Sequence, residues 1–195
     1  LIRANDNWKT TQRNQIEATG VAPTSDLESA IVVTLAPGTY SAILAGKSGR
    51  TGVGVVEIYD LNSSKDSKLV NISSRGFVET GSNVMIGGFI IGGGTDPTKV
   101  VLRAIGPTLA SAGIQNPLDD PTLDLRDANG ARLRFNDNWQ DNAQQAAEIT
   151  AAGLAPRDPR ESAVALKLSA GSYTAIVAGK NRSTGVALFE LYNLR

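Results

Sequence analysis

The chain repeats itself, and the two copies are unequal. Asn5-Asp6-Asn7-Trp8 recurs as Asn136-Asp137-Asn138-Trp139. From Gly20 onward a shift of 133 residues carries 20–61 onto 153–194 without a gap, and 20 of those 42 positions are identical, among them Glu28-Ser29-Ala30, Tyr40, Ala45-Gly46-Lys47, Glu57 and Tyr59. Residues 69–131 have no counterpart ahead of Leu1. The 195 residues therefore hold one full unit, 69–195, and the back half of another, 1–61, joined by a short polar linker at 62–68. A back half cannot bury its apolar face alone, so the pattern predicts that something must complete it. The chain opens on Leu1 rather than Met, as a processed form or an internal piece would.

Most of the sequence reads as strand. In the first copy 30–35, 39–46 and 53–61 are apolar or β-branched runs separated by Ala36-Pro37-Gly38 and Lys47-Ser48-Gly49-Arg50-Thr51-Gly52, which is turn chemistry. The second copy repeats this at 163–168, 172–179 and 186–194. The front half adds 69–78, 83–92, 99–105 and 122–126, followed by a hairpin turn at Asp127-Ala128-Asn129-Gly130. One short helix per copy follows the Trp. Asp141 or Asn142 caps Ala143 to Ile149 and Gly153 ends it, with 10–19 and Gly20 as the counterpart. Short strands between Gly/Pro turns, with room for one helix per unit, predict an all-β chain of duplicated antiparallel β-sandwich or jelly-roll lobes.

Composition narrows the chemistry. With no His and no Cys there is no Ser-His-Asp or Cys-His nucleophile, no thiol redox chemistry and no zinc site of the usual kind. Nineteen Lys and Arg balance nineteen Asp and Glu, which argues against a nucleic-acid surface. The longest apolar run, 84–94, is too short to cross a bilayer and contains Gly87 and Gly88. The glycine clusters precede strand-like sequence, not a helix whose N-terminus would hold phosphate.

Two constellations remain. Glu57 and Glu190 lie in the last strand of each copy, which is apolar on both faces, and a carboxylate there needs a partner. Lys47 and Lys180 at the preceding turns and Arg103 in the front half are the candidates for structural ion pairs. Asp6, Asn7, Asp137 and Asn138 combine short oxygen-bearing side chains in the pattern a Ca²⁺ site uses, and they equally suit turns and caps. No other cofactor is expected.

Asp120-Pro121-Thr122-Leu123-Asp124-Leu125-Arg126-Asp127-Ala128-Asn129-Gly130, then Asn136-Asp137-Asn138-Trp139, then Ala170-Gly171-Ser172-Tyr173-Thr174-Ala175-Ile176-Val177 together resemble a bacterial pre-peptidase C-terminal (PPC-type) domain. The resemblance covers 120–194, and 1–61 without its leading strand. The front half, with Ile72-Ser73-Ser74-Arg75-Gly76-Phe77-Val78 and Leu102-Arg103-Ala104-Ile105-Gly106-Pro107-Thr108-Leu109, is similar to repeat modules of large secreted proteins of environmental bacteria. The resemblance implies an exported, non-catalytic accessory β-sandwich, of a family in which some members bind Ca²⁺ or polymeric substrates.

The expectation is thus a non-catalytic extracellular structural protein, self-associating by strand complementation into a filament or surface array. The alternative is a polysaccharide-binding accessory module of a secreted enzyme, with Trp8 and Trp139 as glycan platforms. A carboxylate-based hydrolase needs two acids facing each other in a cleft, and the spacing suggests no such pair.

Overall fold

A computed structural model describes residues 1–61, 69–92 and 95–194; the linker expected at 62–68 lies outside the described residues. The chain divides into two compact units, Leu1–Ser67 and Lys68–Arg195. Among the described residues there are two α-helices, α1 (Arg13–Ala18) in the first unit and α2 (Ala143–Ala151) in the second. All eight strands lie in the second: β1 (Asn71–Val78), β2 (Met85–Ile91), β3 (Thr98–Ile105), β4 (Pro121–Arg126), β5 (Arg132–Asn136), β6 (Ser162–Leu168), β7 (Gly171–Gly179) and β8 (Gly185–Leu194).

In the second unit the strands form two four-stranded antiparallel sheets, ordered β1-β8-β3-β6 and β2-β7-β4-β5. Period-2 alternation turns Val100, Leu102 and Ala104 of β3 towards Leu123 and Leu125 of β4 and Val177 of β7, so both sheets contribute to one core with Phe89, Val164, Ala187 and Phe189. Each fully buried Leu or Val there contributes about 1.5–3 kcal/mol over its exposed state. Gly87 on β2 permits a close approach between the layers: a Cβ there would lie 2.3 Å from the ring of Phe189.

The other face of β3 explains why its sequence is apolar throughout. Val101 points outward into a second cluster with Trp139, Ile149 of α2, Ala163 and Ala165. Helix α2 starts where Asn142 caps it, its side chain accepting from the Gln145 N–H at 2.9 Å, and ends before Gly153 at φ +71°. Strand β5 is the return limb of the Asp127–Gly130 turn. It pairs with β4 in register Leu123↔Asn136.

The first unit departs from expectation. Residues 30–35, 39–46 and 53–61 form no β-ladder, although their counterparts are β6, β7 and β8. The pairings of the second unit supply the reason. There β6 pairs with β3, β7 with β2 and β4, and β8 with β1 and β3; no two of the three strands pair with each other. Each ladder partner belongs to the front half, which these 195 residues contain once and which the second unit uses. The helix survives in shortened form, as a 3-10 turn at Trp8–Thr10 followed by α1.

Candidate functional site

The feature of the first unit that calls for a function is its unpartnered strand set, and its residues can be placed one by one against the closed copy. Ile31 is 43% exposed where Val164 is fully buried, Leu44 is 55% exposed against 0% for Val177, and Val56 is 52% exposed against 3% for Phe189. Ile43, Val53, Val55, Ile58 and Tyr59 are exposed as well. Exposed apolar residues beyond single scattered ones are where interaction sites are sought.

The half is nevertheless organised. The Asn5 Oδ1 accepts from the Ala30 N–H at 3.1 Å, as the Asn136 Oδ1 accepts from Ala163 at 2.9 Å. The Trp8 N–H donates to the Glu28 carbonyl and that of Trp139 to the Glu161 carbonyl, both at 2.9 Å. Gln12 clamps Val32 by two hydrogen bonds, donating to its carbonyl at 2.8 Å and accepting from its N–H at 3.2 Å. The Tyr40 hydroxyl donates to the Ala36 carbonyl at 2.7 Å, as Tyr173 does to Ser169 at 2.8 Å. The turns following 39–46 and β7 match too: Ser48 and Asn181 sit at φ +57° and +54°, and a Cβ on Gly46 or Gly179 would strike the backbone oxygen four residues on, at 1.9 and 2.0 Å. Trp8, Gln12 and Ile16 are buried together at the only buried positions of 1–61.

The two glutamates mark the difference between the copies. Glu190, 7% exposed on β8, lies directly opposite Arg103 on β3. It accepts from the Arg103 Nε at 2.8 Å and from the Tyr192 hydroxyl at 2.7 Å, while the Arg103 Nη1 donates to the Leu154 carbonyl at 3.0 Å. Burial, together with the bond to Glu190, raises the Tyr192 hydroxyl pKa above its ordinary value. Among the described residues Glu57 keeps the tyrosine alone as a hydrogen-bond partner, accepting from Tyr59 at 3.1 Å. That contact raises the Tyr59 hydroxyl in turn.

Glu161, immediately ahead of β6, is buried where its counterpart in the first copy is exposed. With no exposure it accepts from the Gly106 N–H at 3.2 Å, the Thr108 N–H at 2.9 Å, the Thr108 hydroxyl at 2.9 Å and the Asp158 N–H at 3.3 Å. Its counterpart Glu28 is exposed and accepts from Ser25 N–H at 3.1 Å. Nothing in the Glu-Ser doublet itself distinguishes these two states; the turn at 106–108 does.

The lysines do not serve the glutamates. Lys180 lies 2.6 Å from Asp137 and 3.6 Å from Asp120, and Lys47 lies 2.6 Å from Asp6. The bond to Asp137, with Asp120 close by, raises the Lys180 pKa above its ordinary value. Each Asn-Asp-Asn-Trp segment thus presents its carboxylate to an ammonium. Asn138 turns back to Asp141 at 3.5 Å, and Thr10 donates to the Asn7 carbonyl at 2.7 Å. Among the described residues no group of three or more Asp or Glu is placed to hold a metal ion. Trp8 and Trp139 are buried, not displayed for stacking on a glycan. An open groove of about 570 Å³ between β5, β6 and α2 is lined by Lys99, Arg134, Glu148 and Lys167, with Lys99 bonded to Glu148 at 3.1 Å. No described helix is long and apolar enough to cross a membrane.

The chain matches no protein-family model and no curated protein sequence.

Proposed function

We propose that this chain is a non-catalytic structural module of an extracellular assembly, in which the second unit is a closed jelly-roll β-sandwich and the first is an open half-sandwich that joins a neighbour by strand complementation. The sandwich reading is supported by the interleaved strand orders, β1-β8-β3-β6 over β2-β7-β4-β5, with a core shared between the layers. The extracellular setting rests on the resemblance of 120–194 to PPC-type modules.

The observation that carries the proposal is the pairing rule of the closed copy: every strand of the repeated half finds its ladder in the front half alone. Residues 30–35, 39–46 and 53–61 form no ladder, and Ile31, Leu44 and Val56 among them are exposed. Strand addition supplies main-chain hydrogen bonds for affinity and side-chain pockets for specificity. A contact between unlike surfaces repeats from copy to copy, and it gives an open filament or array unless its rotation closes a ring.

Light scattering across a concentration series into the tens of micromolar, with negative-stain microscopy of the same samples, tests the proposal. The expected result is a mass that climbs above the 20.4 kDa of one chain. A species that stays strictly monomeric throughout overturns it.

A further inference from the structure

We propose that the first unit is a receptor for one kind of segment, a second front half with the pattern of residues 69–131, and that Glu57 and Glu28 are the residues that read it. The inference rests on the strand-complementation reading and adds to it the chemistry of the occupant.

The closed copy serves as an internal template, because 20 of 42 residues are shared and the bonds within the repeated half are the same. In that template a single stretch, Arg103-Ala104-Ile105-Gly106-Pro107-Thr108, satisfies both buried acids: Arg103 pairs with Glu190, and the turn at Gly106 and Thr108 donates to Glu161. Transferred to the first unit by the 133-residue shift, the register sets an arginine opposite Glu57 and a Gly-Pro-Thr turn against Glu28. It also sets an aliphatic residue in the place of Leu102, between Ile31 and Ile58, since Leu102 lies across from Val164 and Leu191. An aromatic residue stands where Phe89 stacks on Tyr173 at 5.5 Å, against Tyr40. The acceptor is thus apolar with two carboxylates that lack the charged and main-chain donors of the template. Burying them beneath an uncharged strand would leave Glu57 with the Tyr59 hydroxyl and Glu28 with the Ser25 N–H as their donors, which selects against generic hydrophobic partners.

Stoichiometry separates this occupant from a simple exchange between copies. These 195 residues contain one front half and two back halves. Copies that lend 69–131 to one another open one back half for each they close. A second front half closes the first unit without that loss.

The test joins an additional copy of residues 69–131 ahead of Leu1 in the full chain and follows amide hydrogen exchange at 31–35, 39–46 and 53–61. Protection at all three stretches is expected, together with loss of concentration-dependent association. Glu57→Gln in the chain, or Arg103→Ala in the added segment alone, is expected to lower that protection about tenfold or more. Glu57→Arg combined with Arg103→Glu in the added segment restores it. The untouched second unit reports folding in every variant. An added segment that leaves 31–61 unprotected overturns the inference even where the original chain self-associates. Protection that ignores both single substitutions overturns the reading role of Glu57. An original chain that stays monomeric while the extended chain closes upholds the receptor and removes self-association.

Discussion

The two units are identical at 20 of the 42 positions of their shared stretch and repeat many local bonds, yet among the described residues only one of them contains a sheet. Asn5 and Asn136, Tyr40 and Tyr173, and the left-handed turns at Ser48 and Asn181 are interchangeable in geometry. Local chemistry therefore places the three strand segments, and pairing them is a separate matter decided elsewhere in the chain. Because β6, β7 and β8 alternate with front-half strands in both sheets, removing the front half removes every ladder at once. A meander cut in half would keep half of its hydrogen bonds. This interleaved order keeps none, which is why the repeated half forms no ladder by itself.

Hydrogen exchange puts the comparison at greatest risk. Amides of β3 and β8 should be protected up to the global stability of the second unit, while 31–35, 39–46 and 53–61 in the monomeric chain exchange close to the unstructured rate, a gap of roughly 10³-fold or more. Equal protection at β6–β8 and at 30–61 in a monomer would dissolve the distinction. Paired substitutions come next. Phe189→Ala should cost the second unit about 3–5 kcal/mol in denaturant unfolding, whereas Val56→Ala at the equivalent position should stay within about 0.5 kcal/mol. Glu161→Ala strips the acceptor from Gly106 and Thr108 inside the core and should cost about 3 kcal/mol. Glu28→Ala should cost almost nothing until the half is closed.

The sequence made the strands of the second unit, the helix after each Trp and the partnership of the last-strand glutamate with a charged group readable, because each depends on periodicity, capping or the cost of burying a charge. Arg103 could be named as a candidate partner but not chosen over Lys180, since the choice depends on which strand lies beside β8. Lys180 opens the turn after β7 and lies against Asp137 instead. That 30–35, 39–46 and 53–61 form no ladder was hidden for the same reason: runs such as Ile31-Val32-Val33 have the propensity of strands in either setting, and propensity says nothing about supply of partners. Glu161 was missed as a buried acid because its donors, the N–H groups of Gly106 and Thr108, are main-chain atoms more than fifty residues away.

Smaller effects sharpen the comparison at the helices. In α2 the Asn142 side chain satisfies the Gln145 N–H, while α1 begins at Gln12 with no side-chain cap bond because Gln12 is engaged with Val32. Asn142→Ala should therefore lower the stability of the second unit by about 1 kcal/mol, measured as a shifted denaturation midpoint at unchanged slope. A cost under about 0.3 kcal/mol would mean that the tertiary cluster of Ile149 and Trp139, not the cap, decides the helix.

The smallest effect is a pH dependence that belongs to one unit only. Asp124 on β4 accepts from the Arg132 Nε at 2.9 Å and the Arg126 Nη2 at 2.8 Å. The bond to Arg132, assisted by Arg126 and opposed by partial burial, holds its carboxyl below the ordinary carboxylate range. A folded-state pKa below the unfolded value means that the stabilisation is fully present above the unfolded value of about 3.9 and is lost as pH falls through the folded one. Both arginines are substantially exposed, so solvent screening keeps the contribution to roughly 0.5 kcal/mol. Asp124→Asn should flatten that part of the acid limb in unfolding of the second unit. The first unit has no counterpart of Asp124, since the front half supplies it. In a Trp139→Phe background, Trp8 fluorescence should accordingly trace the same acid titration with and without Asp124→Asn. If Trp8 follows the substitution, the two units are energetically coupled and the independence of the open half fails.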